Sequence, residues 1–137
     1  MKPSMKLALS VLLSGVLGGT VLAQQEAPPK EPFKAVHLVA FDSAADVAAL
    51  QAALQDINAA VAKAGHPEIR YRLYKVVGKQ IGSYNYLWES SWPGGDVYSK
   101  VHQSAEWQAA TKKHPEMDAL MKNEVYNRYV EVTSEKP

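Results

Sequence analysis

Phe33 to Phe41 (FKAVHLVAF) is apolar on both alternating faces and rich in aromatic and β-branched residues, the pattern of a central strand covered on two sides. Phe33, Ala35, Val39 and Phe41 fall on one face, and Val36, Leu38 and Ala40 on the other. Neither face is built for water. Downstream, Val47, Leu50, Leu54, Ile57 and Val61 recur at three- and four-residue steps and predict a helix with one apolar stripe. Asp42 or Ser43 can cap it, Asp46 sits in its first turn, and Gly65 with Pro67 ends it.

Ile69 to Val77 (IRYRLYKVV) and Ser83 to Trp92 (SYNYLWESSW) predict two strands, joined over Gly78–Gly82 as a hairpin whose loop slightly exceeds two residues. Pro93-Gly94-Gly95 breaks the chain, after which Asp96 is a suitable N-cap for a helix to about His102. A kink near Ser104 and a second segment to about Lys113 are expected. Pro115 then starts a short turn that directs Met117, Leu120 and Met121 inward. Glu124 to Thr133 (EVYNRYVEVT) predicts a final strand.

The order is β-α-β-β-α-β, an α+β class of the ferredoxin-like, split βαβ arrangement. Right-handed crossovers place both helices on one face of a four-stranded antiparallel sheet. The opposite face, with Val36 and Leu38, then needs a cover. A second copy of the chain is the simplest, so a homodimer is expected.

The residues before Phe33 carry a different pattern. Lys2 and Lys6 precede an apolar run from Leu7 to Leu22 that contains Ser10, Ser14, Gly15 and Thr20, and Val21-Leu22-Ala23 presents small or aliphatic residues to a signal peptidase. Residues 1–23 therefore read as a signal peptide cut between Ala23 and Gln24, and the protein as periplasmic or secreted. The apolar run is short for a spanning helix, so no membrane association is expected after cleavage. With no Cys to acylate, a lipoprotein is excluded. Gln24 to Pro32 (QQEAPPKEP) is polar and holds three prolines, reading as a disordered or extended linker. Residues 33–137 form the one domain that a 137-residue chain can support.

Composition narrows the function. Without cysteine an exported domain depends on burial and association rather than disulfides. Loss of Lys2 and Lys6 takes the 15 basic residues to 13, against 14 acidic ones. Such a near-neutral chain has no basic footprint for nucleic acid or an anionic membrane. The four histidines, His37, His66, His102 and His114, include no i,i+4 pair and no HExxH element, so no metal site is expected. No Gly-rich phosphate loop, GxSxG elbow or thiol nucleophile supports a nucleotide-binding or hydrolase class.

Several residues remain as candidates for binding or chemistry. His37 is the one ionisable group inside the first strand apart from Lys34 at its edge. If buried, it must hydrogen-bond or titrate, as a core or interface histidine or as an acid–base group. Tyr84, Tyr86 and Trp88 alternate onto one face of the third strand, followed by Ser90 and Trp92. They can wall a pocket for a flat apolar ligand or pack the sheet against helices. Tyr98 and His102 are four residues apart on the facing helix and share a side, and Trp107 follows. Arg70, Arg72 and Tyr74 share the opposite face of the second strand from Ile69, Tyr71 and Leu73. Two arginines there suit a carboxylate or phosphate, or protect an edge strand from aggregation.

Trp88-Glu89-Ser90, followed by Ser104, Trp107, Ala109 and Ala110, resembles the dimeric α+β barrel superfamily. The branch it resembles contains the antibiotic-biosynthesis-type and small haem-degrading monooxygenases. The resemblance implies a ferredoxin-like dimer with a pocket between sheet and helices. It does not carry a haem-degrading activity. The residue after the paired alanines, where that branch places its iron-ligating histidine, is Thr111, and Phe33–Phe41 lacks that branch's asparagine. His114, one turn on, precedes Pro115 at a helix end. No cofactor is therefore implied. Three readings follow: an exported protein binding a small aromatic or apolar molecule; a cofactor-independent monooxygenase of a phenolic or quinone-like substrate, with His37 or His102 handling protons; or a structural dimer with a filled core.

Overall fold

A computed structural model describes residues 26–79 and 82–133. The expected signal peptide and its cleavage point lie outside the described residues. Eight elements follow in order: β1 (Phe33–Val39), α1 (Ala44–Lys63), β2 (Arg72–Lys75), β3 (Tyr86–Trp92), α2 (Gly95–His102), α3 (Ala105–Lys112), α4 (Met117–Leu120) and β4 (Val125–Val130). The strands form one sheet in the order β2-β3-β1-β4, every neighbouring pair antiparallel. This is the expected split βαβ topology.

α1 forms for the anticipated reasons. The Ser43 hydroxyl accepts from the Asp46 N–H at 3.1 Å, capping the first turn. Leu50, Leu54, Ile57 and Val61 are buried along the predicted stripe, each stabilising the fold by about 1.5–3 kcal/mol relative to exposure. At the far end Gly65 adopts φ +100°, and the His66 and Gly65 N–H groups donate back to the carbonyls of Val61 and Ala62. That paired closure needs the left-handed conformation that glycine takes without strain.

The strands are shorter than their sequence patterns, because side chains take over part of the ladder. The Tyr71 N–H donates to Asn58 Oδ1 at 2.6 Å and its carbonyl accepts from Asn58 Nδ2 at 3.0 Å, so helix α1 holds this residue ahead of β2. Asn85 does the same beyond β1, pairing with the N–H and carbonyl of Phe41 at 2.9 and 2.7 Å. The connection between β2 and β3 is correspondingly longer than the hairpin loop expected from Gly78–Gly82.

One further expectation changes. α2 begins at Gly95 with Gly94 in the cap position and no side-chain cap, so Asp96 lies inside the first turn. Its charge still favours the helix N-terminus there. Residues 26–32, read from sequence as part of a disordered or extended linker, lie against the domain. A Cβ on Gly94 would lie 2.6 Å from the Lys30 carbonyl oxygen, and one on Gly95 2.6 Å from that of Pro29. The paired glycines thus admit the strap, and the Arg128 guanidinium donates to the Glu26 carbonyl at 2.7 Å.

The core lies between one sheet face and the helices. Phe33, Ala35 and Val39 of β1, with Trp88, Ser90 and Trp92 of β3, are buried there with Leu50, Leu54, Ile57, Val61 and Val101. Ala110, read by resemblance as part of an alanine pair, is buried in α3. The opposite face holds Val36, Leu38, Leu87 and Val125 at its centre, in register across β3, β1 and β4. Lys34, Arg72, Glu89, Tyr74 and Tyr129 surround them.

Candidate ligand-binding site

Antiparallel register between β1, β3 and β4 sets His37 beside Trp88 on one side and Tyr126 on the other. All three project to the helix side. The imidazole stacks on the Trp88 ring at 3.5 Å between centroids and 6° between planes, and on Tyr126 at 4.4 Å. Glu124, just before β4, closes the arrangement: His37 Nδ1–H donates to Glu124 Oε2 at 2.5 Å. That bond fixes the tautomer with the proton on Nδ1 and leaves Nε2 as an acceptor. Burial pushes the His37 pKa down, with the Glu124 hydrogen bond and charge opposing. A neutral imidazole oriented by a carboxylate is a competent general base.

The second histidine sits on the helical side. His102 Nδ1–H donates to the Tyr98 carbonyl one turn earlier at 2.7 Å, and the ring stacks on Tyr98 at 3.9 Å. Trp107 approaches it at 4.0 Å and Trp92 at 5.3 Å. Its Nε2 faces the Tyr71 hydroxyl at 3.5 Å, the long limit of a hydrogen bond. Burial pushes its pKa down to about 4, against the Tyr98 carbonyl bond, and the charges of Arg128 and His37 add to the fall. The Ser104 hydroxyl fixes the junction of α2 and α3 by donating to the Val101 carbonyl and accepting from the Trp107 N–H, which aims Trp107 at His102.

Tyr71 joins the two halves, with its ring 5.7 Å from Trp88 and 5.8 Å from Trp107. Burial raises its phenol pKa well above the ordinary value, so it stays protonated. Trp92 is satisfied, its indole N–H donating to Ser90 Oγ at 2.8 Å. Trp88 is not. Its ring is only 6 % exposed, yet its indole Nε1–H has no partner among the described residues. A buried donor in that state costs about 1–3 kcal/mol.

Of the residues singled out from sequence, Trp88, Tyr98, His102, Trp107 and His37 come together in this cluster. Tyr86 lies at its margin, packed on Phe41 at 5.7 Å. Tyr84 precedes β3 and stands outside the strand alternation assigned to it. Arg72 is on the helix-free face of β2, an edge strand, and Arg70 precedes that strand. Sequence reasoning passed over Glu124, Tyr71, Tyr126 and Arg128. Tyr126 and Arg128 alternate in EVYNRYV, but that alternation cannot say which residues of β1 they oppose.

Between β3 and α2 the rings pack on one another, Trp92 on Tyr98 at 4.9 Å and on His102 at 5.3 Å. The opening lies to the side, where a cleft of about 370 Å³ runs between the strap and β4, lined by Glu26, Ala27, Pro29, Tyr126, Asn127 and Arg128. Tyr126 is thus shared between this cleft and the His37 stack.

No family model and no curated protein matches the chain. Solved structures do. A dimeric ferredoxin-like protein of unknown function from Thermobifida fusca superposes with a TM-score of 0.52 at 15% identity, over 73% of this chain and 91% of that one. The fold is ferredoxin-like. A protein of unknown function from Rhodopseudomonas palustris shares this ferredoxin-like fold with a TM-score of 0.53 at 15% identity, over 84% and 94% of the two chains. The hydroxynitrile lyase of Passiflora edulis also shares it, with a TM-score of 0.52 at 11% identity, over 80% and 100%.

Proposed function

We propose that this ferredoxin-like chain is an exported homodimer that binds a small aromatic molecule at the Trp88–His37–Tyr126 end of its cluster. The observation that carries the reading is the unpartnered Trp88 indole N–H. It lies against His37, a neutral histidine with an open Nε2. A purely structural core gains nothing from a buried donor without an acceptor, whereas a ligand hydroxyl or carbonyl would satisfy it. The charge-poor, aromatic surroundings suit a flat ring, and the cleft beside Tyr126 supplies the approach. Export rests on the signal pattern of residues 1–23, which makes Gln24 the first residue of the mature chain. Dimerisation rests on the apolar centre of the helix-free face and on the dimeric ferredoxin-like protein that shares this fold.

A second reading gains from one feature. The Glu124–His37 pair can accept a proton from a phenolic hydroxyl, the step a cofactor-independent monooxygenase of hydroquinones requires. One titration series separates these readings. Phenols and hydroquinones should quench the tryptophan fluorescence of the full chain, and Trp88→Phe, which keeps the ring and deletes the N–H, should weaken binding about fivefold or more without lowering stability. Oxygen uptake in the same series, lost in His37→Gln, identifies the oxygenase. No quenching by any phenol, with Trp88→Phe indistinguishable from the parent, leaves the filled structural dimer.

A further inference from the structure

Arg128 occupies a position where a core would place an apolar side chain. It opposes Ala35 in the β1–β4 register and so points to the helix side of the sheet. Its guanidinium lies 5.2 Å from the Tyr98 ring centroid, 5.5 Å from Tyr126 and 6.0 Å from Phe33. Three aromatic faces therefore surround it. None of the ion pairs among the described residues includes it. Its hydrogen bonds there go to neutral acceptors: Nε–H donates to the Tyr126 hydroxyl at 2.9 Å, and an Nη1–H to the Glu26 carbonyl at 2.7 Å. A guanidinium has five N–H donors, so even with Tyr98 also within reach, N–H groups remain for a ligand.

Cation–π contact and neutral acceptors hold a cation in place without cancelling its charge. The charge has no counter-ion among the described residues, and the cleft beside it is where one can enter. The Tyr126 hydroxyl accepts from Arg128 and is also within side-chain hydrogen-bonding reach of Tyr98, so it holds the guanidinium in place. The guanidinium fork itself keeps N–H groups that can meet the two oxygens of a carboxylate. The other walls are Ala27 and Pro29 of the strap, both apolar, with Glu26 and Asn127 at the polar side. A volume of about 370 Å³ falls in the range of small-molecule sites and exceeds what a simple inorganic anion needs.

We infer that the cleft between the strap and β4 is a carboxylate site, in which Arg128 anchors a small aromatic acid and the strap covers its ring. The inference rests on the small-molecule reading above and deepens it by naming the ligand's charge. Recognition of this kind is bidentate, so lysine at 128 keeps the charge but loses the fork. The strap's part depends on the close approach at Gly94 and Gly95, since a methyl group on Gly95 would meet the Pro29 carbonyl oxygen at 2.6 Å and that of Pro28 at 2.9 Å.

Calorimetric titration of the full chain with benzoate, benzyl alcohol and sulfate tests this. Benzoate should bind about tenfold or more tighter than its neutral counterpart, and Arg128→Gln should abolish that preference. Arg128→Lys should retain part of it. Gly95→Ala, which leaves the guanidinium untouched but displaces the strap, should weaken benzoate without affecting sulfate. Equal affinities for benzoate and benzyl alcohol, or an unchanged preference in Arg128→Gln, overturn the anchor; phenol quenching that still depends on Trp88 then preserves the wider reading. Sulfate binding as tightly as benzoate overturns the aromatic class. Absence of binding by benzoate and by every phenol removes both.

Discussion

His102 stands among Trp92, Tyr98 and Trp107 with one ring nitrogen bonded to its own helix, and its protonation carries a measurable consequence. Burial holds its pKa at about 4, below the ordinary 6.5. Between those values the unfolded chain binds a proton at this residue and the folded chain does not. Stability contributed by the neutral imidazole is therefore complete above about pH 6.5 and falls as pH drops toward 4, by of the order of 3 kcal/mol. His37 acts with the same sign, its pKa also lowered by burial. His114 acts oppositely: its hydrogen bond to Asp56 raises its pKa, so its contribution is present at low pH and fades above about 6.5. Urea unfolding between pH 7 and pH 4.5 should show a falling midpoint that flattens in His102→Gln. An equally steep profile in the variant would assign the titration to other groups. The candidate histidines were readable from their types and positions. Glu124 was not, because it meets His37 across 87 residues of chain through strand pairing.

Two asparagines decide where elements stop. Asn58 faces β2 from α1 and holds both backbone groups of Tyr71, and Asn85 holds both of Phe41. Each supplies the donor–acceptor pair that a neighbouring strand would otherwise provide. Asn58→Ala should destabilise the protein by about 2 kcal/mol, one hydrogen bond at each of two partly buried groups. It should also loosen Tyr71 from Trp88 and Trp107, seen as faster amide exchange at Tyr71 and altered tryptophan emission. A stability loss no larger than that of an exposed helix substitution would show that water replaces both bonds. Apolar periodicity located α1 well because twenty residues share one repeating stripe. The same reasoning overran β2, because Ile69 and Tyr71 are buried in strand-like alternation while the Tyr71 backbone is bonded to Asn58 of α1 rather than to a neighbouring strand.

For the molecule as a whole, the sheet has one face under helices and one bare. Leu38 and Leu87 are cross-strand partners on the bare face, and Val36 beside them is only 8 % exposed, shielded by its neighbours. Tyr74 and Tyr129 remain 43 % and 51 % exposed around that centre. A second copy packed there would cover a continuous apolar patch with charged residues at its rim. Light scattering should give twice the chain mass at micromolar concentration, and Leu87→Lys should give the monomer with its helical signal retained. A parent protein that is monomeric under these conditions would leave the bare face without its proposed partner.

The β-α-β-β-α-β order, the stripe of α1 and the presence of aromatic and histidine residues near one another were legible in the chain, since each depends on local periodicity and on which residue types are present. The His37–Glu124 bond, and the lack of a partner for the Trp88 indole and of a counter-ion for Arg128 among the described residues, were not. Those depend on register between strands distant in sequence, and a shift of one residue in β4 would turn Tyr126 and Arg128 to the opposite face. The strap was invisible for a related reason. Proline-rich composition describes a segment's own preferences, whereas its resting place depends on two glycines some 65 residues away that leave room for its carbonyls.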